Sequence, residues 1–170
     1  VIGTLDPTLR DVRLSKDLKD TFIIRRNDTE IIIQEGKLLN RDVLSSGTAE
    51  GIDVAMFLAS MVAREGSFYY CDEHFSYIQS DIEKRIFGIM LNQLSNDEQL
   101  IFTTHNLEPM NVLNKHKYAI DILNGDHEIY TWTSNGNYSP LNQYKSGMTP
   151  GSPFNISSDD FLTCFSYEEK

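Results

Sequence analysis

Three short stretches hold residue types that can do chemistry. Asp72 and Glu73 stand side by side at the end of the apolar run Ser67-Phe68-Tyr69-Tyr70-Cys71. Two acids there are costly unless they serve a ligand, and in open α/β sheets ligands bind at the carboxyl ends of strands. An aspartate in that position suits Mg²⁺, a hard cation that takes oxygen ligands and keeps some of its water. The next residue, Glu73, can reach a reacting water as a general base. The plainer reading is that both acids cap the following helix. His105 closes the next apolar run, Gln99-Leu100-Ile101-Phe102-Thr103, after Thr104. A lone histidine is more often structural. Two parallel strands joined by a helix, however, would place His105 on the same sheet edge as the two acids. The third stretch, Leu44-Ser45-Ser46-Gly47-Thr48, directly precedes an apolar-periodic segment. Backbone N–H groups and the positive dipole end of a helix make such a place an anion site; the plainer reading is an ordinary serine N-cap.

The intervening sequence predicts the elements that would carry these residues. Residues 21–25 and 30–34 flank Asn27-Asp28 and read as a β-hairpin, with 36–42 as a connector. Residues 49–64 read as a helix with apolar Ile52, Ala55, Met56, Ala59 and Val62-Ala63, stopped by Gly66. A buried strand follows at 67–71. A helix is expected at 80–94, with Ile82, Ile86, Ile89-Met90 and Leu94 on one side and Glu83, Lys84 and Arg85 on the other. The next strand is 99–103. Alternation of helix and strand predicts an α/β fold with a parallel sheet core and peripheral β-hairpins. Beyond it, 118–123 and 128–133 bracket Asn124-Gly125-Asp126 as a second hairpin, 134–153 reads as a loop, and Ser158-Asp159-Asp160 starts a short helix through Cys164. Soft boundaries fall near 40 and 115 within a single domain, 1–170.

Taken together, the three stretches resemble the ABC-type ATPases. Leu44-Ser45-Ser46-Gly47-Thr48 is similar to the signature motif, usually written LSGGQ. Phe68-Tyr69-Tyr70-Cys71-Asp72-Glu73 is similar to the Walker B strand, and Thr103-Thr104-His105 to the switch histidine. The resemblance covers about residues 44–106. It implies a partial P-loop NTPase fold and a chain that binds and hydrolyses ATP as a nucleotide-linked homodimer. Asp72 would hold Mg²⁺, Glu73 would orient and deprotonate the attacking water, and His105 would contact the γ-phosphate. Ser45, Ser46, Gly47 and Thr48 would bind ATP held by a second protomer, and Phe75-Ser76-Tyr77 would reach across the dimer interface. The sequence departs from the family pattern at Ser46, at Thr48 and at His74, where transporters carry proline. The last departure favours the soluble branch, which is RecF-like, SMC-like or overcoming-lysogenization-defect-like; Ile78-Gln79-Ser80 stands where that branch often has Leu-His-Pro. No G-x-x-x-x-G-K-[ST] loop is present: the one Gly-Lys pair, Gly36-Lys37, is followed by Leu38 and preceded at the loop's first glycine position by Ile31. The expectation is therefore the C-terminal part of an ATPase domain whose phosphate-binding lobe lies outside this sequence, inactive by itself.

Bulk properties narrow the alternatives. A net charge of −10 argues against a large nucleic-acid surface on these residues, leaving such contacts to regions beyond them. With 40% hydrophobic residues and no apolar run near the roughly 20 that a membrane span needs, no membrane contact is expected. Cys71 and Cys164 match no metal or redox spacing, and reduced thiols imply a cytoplasmic protein. His116, His127 and Asp121 read as solvated, and Trp132, Tyr130 and Tyr138 as packing aromatics. Two competing functions remain: a pseudo-ATPase that binds a protein partner without turnover, and a metal-dependent hydrolase using Asp72, Glu73, His74 and His105.

Overall fold

The computed structural model describes residues 8–123, 127–132, 138–149 and 152, the side chain of Tyr118 excepted. The chain divides into two compact units between Asn106 and Leu107. The first holds strands β1 (Leu9–Leu14), β2 (Thr21–Arg26), β3 (Thr29–Gln34) and β4 (Lys37–Leu38), helix α1 (Ser46–Ala63), strand β5 (Phe68–Asp72), helix α2 (Ser80–Gln93) and strand β6 (Gln99–Thr103).

Strands β1 to β4 form an antiparallel sheet in sequence order. Its centre is the expected hairpin, with Ile24 opposite Ile31 and Phe22 opposite Ile33, turned at Asn27 in the left-handed conformation (φ 49°). The sequence does not announce β1, because a bulge at Asp11 (φ 53°) shifts its register between Arg10 and Val12 and breaks the alternation that marks a strand. Strand β4 falls inside the expected connector, returned by Glu35 and Gly36, both with positive φ. The parallel sheet has two strands, β5 and β6, so the antiparallel sheet is the larger one among the described residues.

Helix α1 is covered on two sides. Ile52 joins Leu9, Ile24, Ile31 and Ile33 of the antiparallel sheet. Val54, Leu58 and Met61 join Tyr69 and Cys71 of β5, Phe75, and Ile86 and Met90 of α2. Ala59, Val62 and Ala63, expected on the apolar face, are exposed. The helix closes at the expected bound, but the residue that stops it is Arg64 rather than Gly66. Arg64 takes the left-handed conformation (φ 54°), its N–H closing on the carbonyls of Met61 and Ser60. Its guanidinium reaches both carboxylate oxygens of Glu98 at 3.1 Å, tying the end of α1 to the start of β6.

The second unit packs Trp132 with Ile120 and Ile122, against Met110, Leu113, Tyr130 and Tyr144. Strands β7 (Asp121–Leu123) and β8 (Ile129–Thr131) pair antiparallel, with Asp121 on the exposed face. Helix α3 (Pro140–Lys145) lies within the expected loop. Its signal is local: Pro140 at the first helical position and Ser139 as cap, accepting the Asn142 N–H at 3.2 Å. Tyr138, His116 and His127 are exposed. The helix expected from Ser158 lies outside the described residues.

Glu98 gives the first unit a pH-dependent tie. The Ser95 backbone N–H foremost, then the Ser95 hydroxyl and the Arg64 guanidinium, hold its carboxyl below the ordinary 4.5. A depressed folded value contributes stability above the unfolded pKa, lost as pH falls through the folded one. Glu98→Gln is therefore expected to lower the thermal midpoint at pH 7, and the deficit against wild type should close as unfolding is measured at pH values progressively below 4.5.

Candidate functional site

Strands β5 and β6 run parallel in register, Asp72 opposite Thr103. Their carboxyl ends are therefore level, and the residues that follow each strand meet. The Thr103 hydroxyl donates to Asp72 Oδ1. The Glu73 N–H then crosses to β6, donating to the Thr103 carbonyl at 3.1 Å and to its Oγ at 3.2 Å. Glu73 has left strand geometry: its φ is +50°, an uncommon conformation for a residue with a side chain. That turn swings its carboxylate sideways, and Glu73 Oε1 lies 2.9 Å from His105 Nε2. The imidazole is 85% exposed and the carboxylate 48%, so the pair stands open to solvent at the sheet edge. One carboxylate able to take a proton from water and one imidazole able to donate to an anion are thus in contact, with a second carboxylate, Asp72, one residue away.

The apolar side of β5 lies beneath them. Cys71 is buried and its pKa is pushed up to about 12, by burial first and then by the Glu83, Asp72 and Glu50 carboxylates, with the His74 backbone N–H opposing. Tyr70 points the other way, on the face that also carries Asp72. That carboxylate's charge, more than burial, holds the phenol above its ordinary 10.0.

The signature stretch divides differently from the expectation. Helix α1 begins at Ser46, so Ser46, Gly47 and Thr48 form its first turn and Ser45 is the cap. Ser45 Oγ accepts the Thr48 N–H at 3.2 Å and pairs with the Thr48 hydroxyl at 2.8 Å. The Ser45 side chain is thus spent on capping. The close neighbour of this turn is the segment after Glu73: a Cβ on Gly47 would sit 3.2 Å from the Tyr77 carbonyl oxygen. One turn further on, Glu50, 7% exposed, accepts the Ser76 N–H at 3.1 Å and the Tyr77 N–H at 2.7 Å. Phe75 corrects the expectation that 75–77 reaches outward. It is buried against Phe102, 5.4 Å between ring centres, which leaves Ser76 and Tyr77 as the exposed part of the turn.

Glu83 is a second correction. The sequence reading places it on the polar side of α2, yet it is 2% exposed. Its Oε1 accepts the Thr104 hydroxyl and its Oε2 the Asn106 side-chain N–H at 2.6 Å. The signal was present. Glu83 stands three, four and seven residues before Ile86, Phe87 and Met90, one face of a helix, as Glu50 stands four and eight before Val54 and Leu58. Ile89, expected on that face, is 49% exposed.

Among the described residues no group of three or more His, Cys, Asp or Glu side chains is arranged to hold a metal ion. No helix among them is long and apolar enough to cross a membrane. No protein-family model matches the chain. No curated protein matches it either.

Two outcomes follow from this packing. In a Cys164→Ser variant, a thiol reagent at pH 8 should titrate no cysteine in the native chain and one after unfolding, because Cys71 stays protonated and covered. Gly47→Ala should not deliver the ~1 kcal/mol that alanine ordinarily gains over glycine in a helix. The carbonyl it approaches belongs to Tyr77, whose N–H is fastened to Glu50, so thermal unfolding should show no gain or a loss.

Proposed function

We propose that these residues form part of an ATP-hydrolysing site of the ABC type. The contact between Glu73 and His105 at the level ends of two parallel strands carries the reading. Phosphoryl transfer to water asks a protein for positioning and charge compensation more than for covalent chemistry. Glu73 would orient the attacking water and accept its proton. His105 would stabilise the γ-phosphoryl oxygens by donating an imidazole N–H. The αL conformation at Glu73 supports these roles, because in it the carboxylate meets His105.

Asp72 fits a Mg²⁺ site as far as its chemistry goes. It is an exposed, single strand-end carboxylate with one oxygen tied to the Thr103 hydroxyl. Mg²⁺ usually takes one or two carboxylates and completes its shell with water and phosphate oxygens. The metal would supply neutralisation of phosphate charge, and Asp72 would hold it.

The phosphate-binding loop would come from outside this sequence, since no such motif occurs in it. Ser46 and Gly47 in the first turn of α1 would bind the γ-phosphate of ATP held by a second copy, the Ser45 hydroxyl and the Thr48 N–H being committed to the cap. A site completed in trans ties turnover to dimerisation.

The decisive comparison is ATP hydrolysis by the full natural chain against its Glu73→Gln variant over a range of protein concentrations. Wild-type turnover should rise more than in proportion to concentration. The variant should lose about 10²- to 10⁴-fold in kcat, the scale of a general base, while still retaining ATP. A chain that neither binds nor hydrolyses ATP would instead be a partner-binding relative of such enzymes.

A further inference from the structure

We propose that Glu83 is a positioning residue for His105, clamping from the first turns of α2 the two residues that flank the histidine. The inference rests on the ATPase reading above.

Apart from the Glu73 carboxylate at 2.9 Å, His105 has little to hold it. Strand β6 ends at Thr103, and the imidazole is 85% exposed, so packing does not set its direction. What brings it to Glu73 is the backbone course from Thr104 to Asn106. Both ends of that course are fastened to one carboxylate: Thr104 through its hydroxyl to Oε1, Asn106 through its amide to Oε2. The Asn106 N–H returns to Thr104 Oγ1 at 2.9 Å, closing the turn on itself. Its side-chain amide also points to the Ser80 carbonyl at the start of α2, at 3.5 Å.

The carboxylate is an expensive way to build a helix. It is buried beside Ile86, Phe87 and Met90, and none of the ion pairs among the described residues includes it. A buried carboxylate without a cation carries a desolvation cost that its accepted hydrogen bonds must offset. What Glu83 does that leucine cannot is accept from both sides of His105 at once.

The test is a double-mutant cycle in the full natural chain, with ATP turnover, hydrogen exchange and thermal unfolding read together. Glu83→Leu should remain folded yet lower kcat at least tenfold, with KM for ATP within about twofold. Amide exchange at 104–106 should speed by at least tenfold. Glu83→Gln, which can accept from Asn106 and donate to Thr104, should retain more than half of the wild-type kcat. Glu83→Leu combined with His105→Ala should be no slower than His105→Ala alone, because both remove the same interaction. If Glu83→Leu does not fold, Thr104→Val with Asn106→Ala removes the same two bonds from the turn side and should give the same loss.

Additive losses in the cycle, unchanged exchange at 104–106, or a folded Glu83→Leu chain with wild-type kcat would each overturn the proposal. Absence of ATP turnover in wild type would overturn the ATPase reading and this proposal with it. That case is recognisable because His105→Ala then changes nothing either.

Discussion

The register of β5 against β6 is the constraint on which the candidate site depends. With Asp72 level with Thr103, the last rung of the ladder joins an acid to a threonine, and Thr103 then serves both strands. Its hydroxyl donates to Asp72, and its carbonyl and hydroxyl oxygen both accept the Glu73 N–H. Parallel strands have no direct turn to fix their alignment, so the alignment comes from the helix between them and the core beneath. Tyr69, Cys71 and Phe75 supply that core from the β5 side, with Phe102 packed on Phe75 and Phe87 from β6. A slip of one residue would turn Cys71 outward and carry Glu73 away from His105.

Helix α1 spends its faces on two sheets, which explains why its apolar stripe is broad. One side serves the antiparallel sheet through Ile52, the other serves β5 and α2 through Val54, Leu58 and Met61. Its first turn has a third task. Gly47 permits close approach to the Tyr77 carbonyl, and Glu50 fastens the backbone of Ser76 and Tyr77. The turn after β5 is thereby held by α1, as the turn after β6 is held by Glu83 on α2. Both carboxylates sit at the N-terminal end of an apolar helical stripe, where a buried acid can still reach a strand-end turn.

Much of the first unit was legible along the chain. The hairpin at Asn27, the strand before Asp72, the helix from Ser80 and the strand before Thr104 are local patterns whose period and turn residues speak for themselves. Where the reading failed, the cause was tertiary or a local exception to a rule. The bulge at Asp11 hid β1, the left-handed Arg64 rather than the glycine stopped α1, and Pro140 opened α3 inside a stretch whose composition reads as loop. Charge alone places Glu83 on the solvent side, although its spacing from Ile86, Phe87 and Met90 puts it on the buried one.

By itself the sequence determined which chemical groups stand at strand ends: Asp72 and Glu73 after one apolar run, His105 after the next, a serine cap and glycine before a helix. Those are consequences of local order, since a strand's end and a helix's start are marked by neighbouring residues. Only the tertiary structure decided that Glu73 and His105 touch and that Phe75 turns inward. It also decided that two buried glutamates hold the turns between them. The physical reason is that a contact across strands depends on register and backbone conformation. Here that means a level parallel pair and one left-handed residue, set by packing far from either side chain in sequence.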